Sequence, residues 1–347
     1  MNTLEMSIKE KALELGYEKC GIIPLPMMDG YREKLEERIH KVPAAEGFYK
    51  GQQRLARVQE EFPWAKSVVI LTVPYSKYHV PENLSGHIGK TYLFDTRTDE
   101  NTIEYQQSLA LETYLKSLGL QTAINRKFGV VGMRWAAMQA GLGIIRRNNF
   151  FYTESGSWVT LEAFLIDREL ELINNTKLPP CPKNCDRCIK ACPTASLCEA
   201  YTMSPIRCIS YLTTFGGRDL PHEPLANDFG QWIYGCDICQ EACPMNHRKW
   251  VDEENFPGLD EIAPSLTIES ILEMDEEFYR QKIQPKFFYL TPEDLWKWQV
   301  NVLNFMKNNY QEHYRQRIMD ALESPYPKVA EMAETICNTL NLTDLRP

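Results

Sequence analysis

The spacing of apolar residues in the first half of the chain predicts alternating strands and helices. Residues 4–16 have a helical pattern that Gly16 ends. Short, continuous apolar runs over 20–25 and 67–73 predict buried strands. The run over 156–166 alternates and is rich in large residues, which predicts a further strand.

Helices are predicted between these strands: over most of 30–62, from a cap at Asn101 or Thr102 to residue 118, and over 129–140. A short strand is expected over 120–124. This alternation predicts an α/β sandwich for residues 1–170. The segment 75–102 has little periodicity but many aromatic residues, and a polar loop of this length inside a domain is more often functional than idle.

The C-terminal part of the chain is predicted to be helical. Helices are expected over 265–274 and over 292–307, the second with a Thr291 cap and Pro292 in its first position. A helical pair follows over 311–322 and 327–340. Such pairs recur in HEAT-type repeats.

Charge is distributed unevenly along the chain. Residues 251–347 hold eighteen Asp and Glu against nine Lys and Arg, and so carry the whole formal net charge of −9. Because affinity for nucleic acid comes largely from Lys and Arg, an acidic region disfavours tight binding of a phosphate backbone. The alternative is a solvated helical surface without a binding role.

Eight of the eleven cysteines fall in one stretch at the spacing of iron–sulfur ligands. The stretch begins with CPKNCDRCIKACP and ends, after RCISYL, with YGCDICQEACPMN. Its cysteines are Cys181, Cys185, Cys188, Cys192, Cys208, Cys236, Cys239 and Cys243. Each run ends in Cys-Pro, as in bacterial two-cluster ferredoxins, where that last cysteine ligates the other cluster. The pattern therefore predicts two 4Fe-4S clusters.

This crossing of the last cysteines also assigns the ligands. The first cluster takes Cys181, Cys185, Cys188 and Cys243, and the second takes Cys192, Cys236, Cys239 and, as its fourth ligand, Cys208. Cys181 is the least regular of the eight, because three residues instead of two separate it from Cys185. Zinc would use separated CxxC pairs without Cys-Pro endings, and disulfides need an oxidising compartment.

Length and pattern together predict three domains: residues 1–172, 173–250 and 251–347. The expected fold class is α+β, with an α/β domain, a ferredoxin-like two-cluster domain and a small helical HEAT-like region. The N-terminus is polar and no apolar run could span a bilayer, so the protein is expected to be cytoplasmic, without a membrane partner. The absence of GxGxxG and P-loop motifs argues against dinucleotide and Walker nucleotide sites.

Several of these stretches resemble epoxyqueuosine reductases, and the similarity covers nearly the whole chain. The most specific part is the double Cys-Pro motif. The other matching segments are GYEKCGI at 16–22, AGLGIIRRN at 140–148, GSWVTLEAFLID at 156–167, RCISYLT at 207–213 and NVLNFMKNN at 301–309.

The resemblance implies that the α/β domain is of a cobalamin-binding type and that cobalamin lies between it and the two-cluster domain. The clusters would pass single electrons from an external low-potential donor, of ferredoxin or flavodoxin type, to the cobalt, and reduce it to nucleophilic Co(I). The residues implied in cofactor binding are Tyr92, Arg126, Gly141, Arg146, Arg147, Asn148, Ser157 and Trp158. Reductive dehalogenases have a similar domain plan.

The expected catalytic residues depart from the family pattern. Epoxyqueuosine reductases carry an Asp-Ser/Thr-x-Pro segment, with a proton-donating aspartate, thirteen residues before the alanine of AGLG; this chain has Lys-Phe-Gly-Val at 127–130. Their Asp-Tyr-His segment falls near 103–106, where Glu104 and Tyr105 remain. Since reductive dehalogenases place a tyrosine beside a basic residue, Tyr105 and Lys127 are the expected catalytic pair.

Three functions remain open at this point. The first is a cobalamin-dependent reductase of a small substrate, with tRNA-bound epoxyqueuosine possible but disfavoured by the missing aspartate and the acidic region. The second is a ferredoxin-type electron carrier or reductive activator that serves a corrinoid protein. The third is a regulatory module with structural clusters. A full upstream domain favours the enzyme, because a ferredoxin alone needs only about 60 residues.

Overall fold

The computed structural model describes residues 3–216 and 220–342 and is built around a four-stranded sheet. Its strands run in the order β1-β2-β6-β3, and β4 and β5 form a separate two-stranded sheet. The strands are β1 Lys19–Pro24, β2 Ser67–Pro74, β3 Thr122–Ala123, β4 Ile144–Ile145, β5 Phe151–Tyr152 and β6 Val159–Ile166. The four predicted strands are confirmed, although β3 is shorter than expected, whereas β4 and β5 were not predicted.

The mixture of helix and sheet confirms the α+β class, but the sheet is antiparallel throughout. Pro24 and Ser67 are register partners, so the chain leaves and re-enters the sheet at the same end. The helices between them therefore form an excursion beside the sheet and make no crossover, which is why alternation along the chain does not produce the parallel pairing typical of α/β units.

Both faces of the sheet are covered, which explains the continuous apolar run of β2. Val68 and Ile70 pack toward the helix Met133–Gln139 on one face. Val69 and Leu71 pack on the other face, in the core that also contains residues of the helices Leu4–Glu14 and Ile103–Ser117. Since side chains alternate between faces, a strand that is buried on both sides needs apolar residues at most successive positions.

The longer helices are Leu4–Glu14, Asp29–Lys41, Ile103–Ser117, Met133–Gln139, Leu295–Asn308 and Pro327–Leu340. Shorter helical segments are Glu46–Gly51, Val58–Glu61, Lys90–Leu93, Arg187–Ala191, Ile209–Tyr211, Ile238–Glu241, Leu259–Ile262, Ile268–Leu272, Glu276–Phe278 and Arg315–Asp320. The predicted helical stretch 30–62 is thus broken into three pieces, and both members of the C-terminal helical pair are present.

Helix caps were predicted with mixed success. The Thr102 hydroxyl accepts the Tyr105 N–H at 3.4 Å, which confirms this cap. The Thr291 cap is wrong: Asp294 takes the cap position, and its carboxylate accepts the Thr291 N–H at 2.8 Å. Residues 291–294 form a turn instead, so the helix begins at Leu295 and not at Pro292.

A third core joins the cysteine-rich segment to the C-terminal helices. It extends from Tyr75 to Leu342 and includes Tyr234 and Trp298, whose rings stack at 4.7 Å. The division into domains 1–172, 173–250 and 251–347 stays a prediction, and its ends at 1–2 and 343–347 lie outside the described residues. Among the described residues, no helix combines the length and apolar character needed to cross a bilayer.

Candidate functional site: two thiol groups and a polar cavity

The first set of cysteines gathers around two short helices that pack against each other, Arg187–Ala191 and Ile238–Glu241. Burial, and then the neighbouring Cys243 and Cys181 thiols, raise the pKa of Cys188 to about 11. Cys185 lies in the turn before the first helix, where its N–H donates to the Pro182 carbonyl at 3.0 Å. We call Cys181, Cys185, Cys188 and Cys243 thiol group one.

The second set joins cysteines of both runs with the one between them. Cys239 interacts electrostatically with Cys236, Cys208 and Cys192, and Cys236 interacts with the same two distant cysteines. Burial raises the pKa of Cys236 and Cys239 well above that of an ordinary thiol. We call Cys192, Cys208, Cys236 and Cys239 thiol group two. The structure thus places Cys243 near Cys188, and Cys192 and Cys208 near Cys236 and Cys239, while the place of Cys185 in group one and ligation itself stay predictions.

The donor chemistry of both groups fits iron–sulfur clusters. Sulfur-only donor sets select such clusters among other soft-metal sites, and a coordinating thiol is deprotonated outright even where burial alone would keep it neutral. Within 3–216 and 220–342, no three His, Cys, Asp or Glu side chains are placed to hold a single metal ion. A 4Fe-4S cluster is wider than one ion and takes its four cysteines at separate irons.

A buried arginine lies beside thiol group one. Arg146 is 2% exposed, and its Nη1 lies 3.8 Å from Cys181 Sγ. Its guanidinium also lies over the Tyr152 ring, 5.1 Å from the centroid. Tyr152 is a neighbour of Cys243, its hydroxyl accepts from Asn148 Nδ2 at 2.9 Å, and burial raises the pKa of Tyr152. One side-chain donor, Arg146, therefore approaches a thiol of group one, and a tyrosine lies near another.

A buried carboxylate lies beside thiol group two. Asp237, which directly follows Cys236, is 1% exposed and accepts the Lys90 N–H at 2.8 Å. The Lys90 Nζ lies 3.7 Å from the same carboxylate and also pairs with Glu241. Burial raises the pKa of Asp237 to about 6, against the lowering effect of Lys90. The surroundings of the two groups thus differ in charge.

A cavity of about 620 Å³ opens next to thiol group one. It is lined by Cys243, Lys90, Trp158 and Trp250, among others. The Lys90 Nζ lies 4.9 Å from the Trp158 ring centroid and 5.4 Å from that of Trp250, and so makes cation–π contacts with both. This volume is in the usual range for small-molecule sites.

A second, much smaller cavity lies beside β6 at the start of the helix Ile103–Ser117. It measures about 30 Å³, and Tyr105 and Glu104 both line it. Glu104 is 8% exposed; its Oε1 accepts from Tyr78 Oη at 2.6 Å and from Lys77 Nζ at 3.2 Å. Its Oε2 is buried without a partner. Glu104 therefore gives the cavity wall a carboxylate with one oxygen that has no hydrogen-bond partner.

A second acid, which is partly buried, also lines the small cavity. Glu162 on β6 accepts hydrogen bonds from the hydroxyls of Tyr17 and Ser108. Burial raises the pKa of Glu162. Arg126 donates to Ser108 Oγ at 2.7 Å, pairs with Glu112 at 2.6 Å and lies 5.6 Å from the Tyr105 ring centroid. The predicted residue Arg126 is thus part of this network.

Lys127, the second predicted catalytic residue, does not line the small cavity. Its Nζ lies 5.5 Å from the Phe128 ring centroid and 5.0 Å from that of Phe288. Its carbonyl accepts from Arg97 Nη1 at 3.0 Å, and Arg97 Nη2 donates to Tyr289 Oη at 2.6 Å. Arg97 therefore ties the loop of Lys127 to the C-terminal region, at the margin of the cavity.

The residues predicted to bind cobalamin do not line one cavity. Arg126 lines the small cavity and Trp158 the large one, while Tyr92 contacts Ser210 Oγ at 2.7 Å, near thiol group two. Arg147 donates to the Lys183 carbonyl, and Asn148 donates to the Cys239 carbonyl at 3.1 Å. In the described conformation the small cavity has room for a water molecule or two but does not enclose a corrin ring.

Two further predicted cofactor residues have structural roles. Gly141 has a φ of +67°, and a Cβ there would lie 1.9 Å from the Asn174 carbonyl oxygen, so only glycine fits. Ser157 is buried, donates to Gln240 Oε1 at 2.8 Å and accepts from Asn246 Nδ2 at 2.7 Å. These contacts fasten the segment 156–167 to the second cysteine run.

Sequence reasoning missed Glu162, Arg97 and Lys90 at these sites. A signal existed for Glu162, since an acid within an otherwise apolar strand is rarely buried without a purpose. Arg97 and Lys90 both lie in the long aperiodic loop 75–102, whose length did indicate function. Their individual roles depend on partners far along the chain, which no local pattern reveals.

Similarity to known proteins is found in the cysteine-rich segment and also over most of the chain. The family model of the 4Fe-4S double cluster binding domain matches residues 181–246. An epoxyqueuosine reductase of Prochlorococcus marinus (strain NATL2A) is 28% identical to this chain over 325 residues, which cover 88% of this chain and 97% of that relative.

Solved structures show that the fold is shared. An epoxyqueuosine reductase of Bacillus subtilis, with its catalytic aspartate loop swung out of the active site, matches with a TM-score of 0.79 at 22% identity, over 98% of this chain and 92% of that one. An epoxyqueuosine reductase with an epoxyqueuosine-modified tRNA-Tyr stem loop matches with a TM-score of 0.76 at 22% identity, over 96% and 89%. The resemblance to epoxyqueuosine reductases is confirmed.

Proposed function

We propose that this chain, an oxidoreductase of the epoxyqueuosine reductase type, is a cobalamin-dependent iron–sulfur reductase whose substrate reacts beside Tyr105, where the cavity of about 30 Å³ must widen to admit it. The observation that carries the proposal is the conjunction of two thiol groups with a polar cavity, on a fold that epoxyqueuosine reductases match over 96% of the chain or more. Thiol group one would hold one 4Fe-4S cluster and thiol group two the other, and these supply single electrons.

Cobalamin is proposed on the resemblance of the segments 140–148 and 156–167 to cofactor-contacting parts of epoxyqueuosine reductases. When bound, it supplies a cobalt that reduction turns into a strong nucleophile. The test is the ultraviolet–visible spectrum of the protein mixed with cob(II)alamin. A base-off spectrum supports a bound cofactor, whereas the spectrum of free, base-on cofactor at saturating protein contradicts it and favours the electron-carrier function.

We propose that residues of this chain donate protons to the substrate at the cavity. An epoxide that is reduced to an alkene loses its oxygen as water, so that oxygen must be protonated. Tyr105 and Glu104 both line the cavity, and the Oε2 of Glu104 has no hydrogen-bond partner. Lys127 remains the alternative donor, since it lies at the margin and would need its loop to move. We propose that Tyr105 orients or protonates the substrate beside one of these two groups.

The substrate is an epoxide of the epoxyqueuosine type, either as a small molecule or carried on tRNA. The sequence alone disfavours tRNA, but two observations weigh against that. One solved neighbour contains a modified tRNA stem loop. The C-terminal segment that reaches the cavity margin, 279–289, carries Arg280, Lys282 and Lys286 and no acid, although the region as a whole has a net charge of −9. Arg280 is paired with Glu276 and the Lys286 Nζ is buried, so what favours phosphate at the margin is the absence of an acid in this segment.

Turnover by variants tests the proposal most sharply. Tyr105→Phe should reduce turnover of an epoxyqueuosine substrate by about 10²-fold or more, the usual size of a lost general acid. Tyr114→Phe on the same helix is the matched control and should leave turnover unchanged. Assays on modified tRNA and on the free modified nucleoside, each with a chemical reductant, separate the two carriers. Equal activity of both variants would contradict a role for Tyr105.

A second pair of variants identifies the proton donor. Glu104→Gln should abolish most turnover if the free oxygen of Glu104 carries the proton, whereas Lys127→Met should do so if the loop delivers Lys127. Lys116→Met is the control for loss of a surface ammonium on the helix Ile103–Ser117. If neither Glu104→Gln nor Lys127→Met changes turnover, neither group donates the proton.

A further inference from the structure

Arg146 is a buried charge without a carboxylate partner. Its side chain is 2% exposed, its Nη1 approaches Cys181 Sγ at 3.8 Å, and its Nε is buried without an acceptor. Among the described residues it forms no ion pair with Asp or Glu. Since burying an isolated guanidinium is strongly unfavourable, this position needs a negative partner that protein side chains do not supply.

A cluster in thiol group one would be that partner. A 4Fe-4S cluster with four cysteine thiolates carries net negative charge, and its negative charge increases by one on reduction. A fixed positive charge beside it stabilises the reduced state more than the oxidised one. Hydrogen bonds to the cysteine sulfurs act in the same direction, and here Arg146 approaches Cys181, with Tyr152 as a polar neighbour of Cys243.

The buried charge beside thiol group two acts in the opposite direction. The donors to its thiols are neutral: the Ser210 and Tyr211 N–H groups approach Cys208, and the Thr194 hydroxyl lies 3.8 Å from Cys192. The buried charge that follows Cys236 is the carboxylate of Asp237, whose partner Lys90 is shared with Glu241. No guanidinium among the described residues contacts a thiol of this group.

We propose that Arg146 raises the reduction potential of the cluster in thiol group one above that of the cluster in thiol group two. The inference rests on the proposed assignment of clusters to the two thiol groups. Arg146 thus acts on the cluster through Cys181 and is not a catalytic residue. Its predicted role as a cobalamin contact is a separate expectation that this inference does not require.

Potentiometric titration of the anaerobically reconstituted full chain, followed by electron paramagnetic resonance, tests this. Arg146→Met should shift the midpoint potential of one cluster to a more negative value and leave the other unchanged. Arg146→Lys keeps the positive charge, so its midpoint potential should lie between those of Arg146→Met and the wild type. Arg147→Met is the matched control, because Arg147 donates to the Lys183 carbonyl instead of a thiol.

Tyr152→Phe keeps the inference testable if Arg146→Met fails to fold. It removes a polar hydroxyl near Cys243 and should shift the same cluster in the same direction, but by less. Two intact clusters whose potentials do not move in either variant would overturn the inference, as would a shift of the same size in Arg147→Met.

The failure of the cluster assignment would look different. If the wild-type chain contains a single cluster or stoichiometric zinc, the proposed function fails before any variant is made. If the wild type has two clusters and only the shift is missing, the assignment stands and the role of Arg146 is wrong.

Discussion

The two thiol groups come from similar sequence motifs but lie in different surroundings. Thiol group one borders a large cavity and has a buried guanidinium at 3.8 Å from one of its sulfurs. Thiol group two has a buried carboxylate, that of Asp237, next to Cys236. The comparison teaches that a ligand pattern predicts which metal group binds, whereas residues far along the chain decide how that group behaves.

Removal of one cysteine from either thiol group should have the largest effect, because it should eliminate the cluster of that group. Cys208→Ala should lose the cluster of thiol group two and leave the other spectroscopically visible, and Cys181→Ala should do the reverse. Iron should fall from about eight to about four per chain in each variant, because each cluster needs its four ligands. Cys198→Ala, outside both groups, is the control. Loss of all iron from either ligand variant would contradict two independent sites.

Lys90→Met should have the next largest effect, because it leaves the Asp237 carboxylate buried beside thiol group two without its cation. Breaking a buried pair in this way costs about 3 kcal/mol of unfolding free energy. Anaerobic urea unfolding measures the change. The control is Lys116→Met, whose exposed pair with Glu112 is worth about 0.5 kcal/mol or less. Equal losses in both variants would show that Asp237 does not depend on Lys90.

Asp237→Asn should sharpen the comparison with a smaller effect. It removes a buried negative charge at nearly constant shape, and so should raise the potential of the cluster in thiol group two toward that of group one. The expected stabilisation of the reduced cluster is about 1–2 kcal/mol for charges at this range in a partly polar interior. Potentiometric titration measures it, with Glu241→Gln as an exposed control. A shift of the wrong cluster would contradict the grouping of Cys236.

Much of this molecule could be predicted from local pattern. The continuous apolar run of β2 and the alternation of β6 indicate the central strands, since burial is written into successive side chains. The Cys-Pro endings indicate the crossing between the two cysteine runs. Thr102 is a recognisable helix cap. Each of these features depends on residues that are close together in the sequence.

The parts that could not be predicted depend on long-range contacts. The antiparallel pairing of β1 with β2 requires knowing that residues 25–66 return to the same end of the sheet. Glu104 becomes distinctive only because Tyr78 and Lys77 occupy one of its oxygens and nothing occupies the other. The family pattern implied that Lys127 lies beside Tyr105. In the structure Lys127 does not line the small cavity, and its Nζ contacts the Phe288 ring of the C-terminal region.

The central claim is that this chain holds two 4Fe-4S clusters that differ in potential. The most direct test is iron and sulfide analysis of the anaerobically reconstituted protein, combined with a potentiometric titration followed by electron paramagnetic resonance. We expect about eight irons per chain and two separate reduction steps, of which the step at the higher potential belongs to the cluster of thiol group one. A single cluster, stoichiometric zinc, or two clusters that titrate together would contradict it.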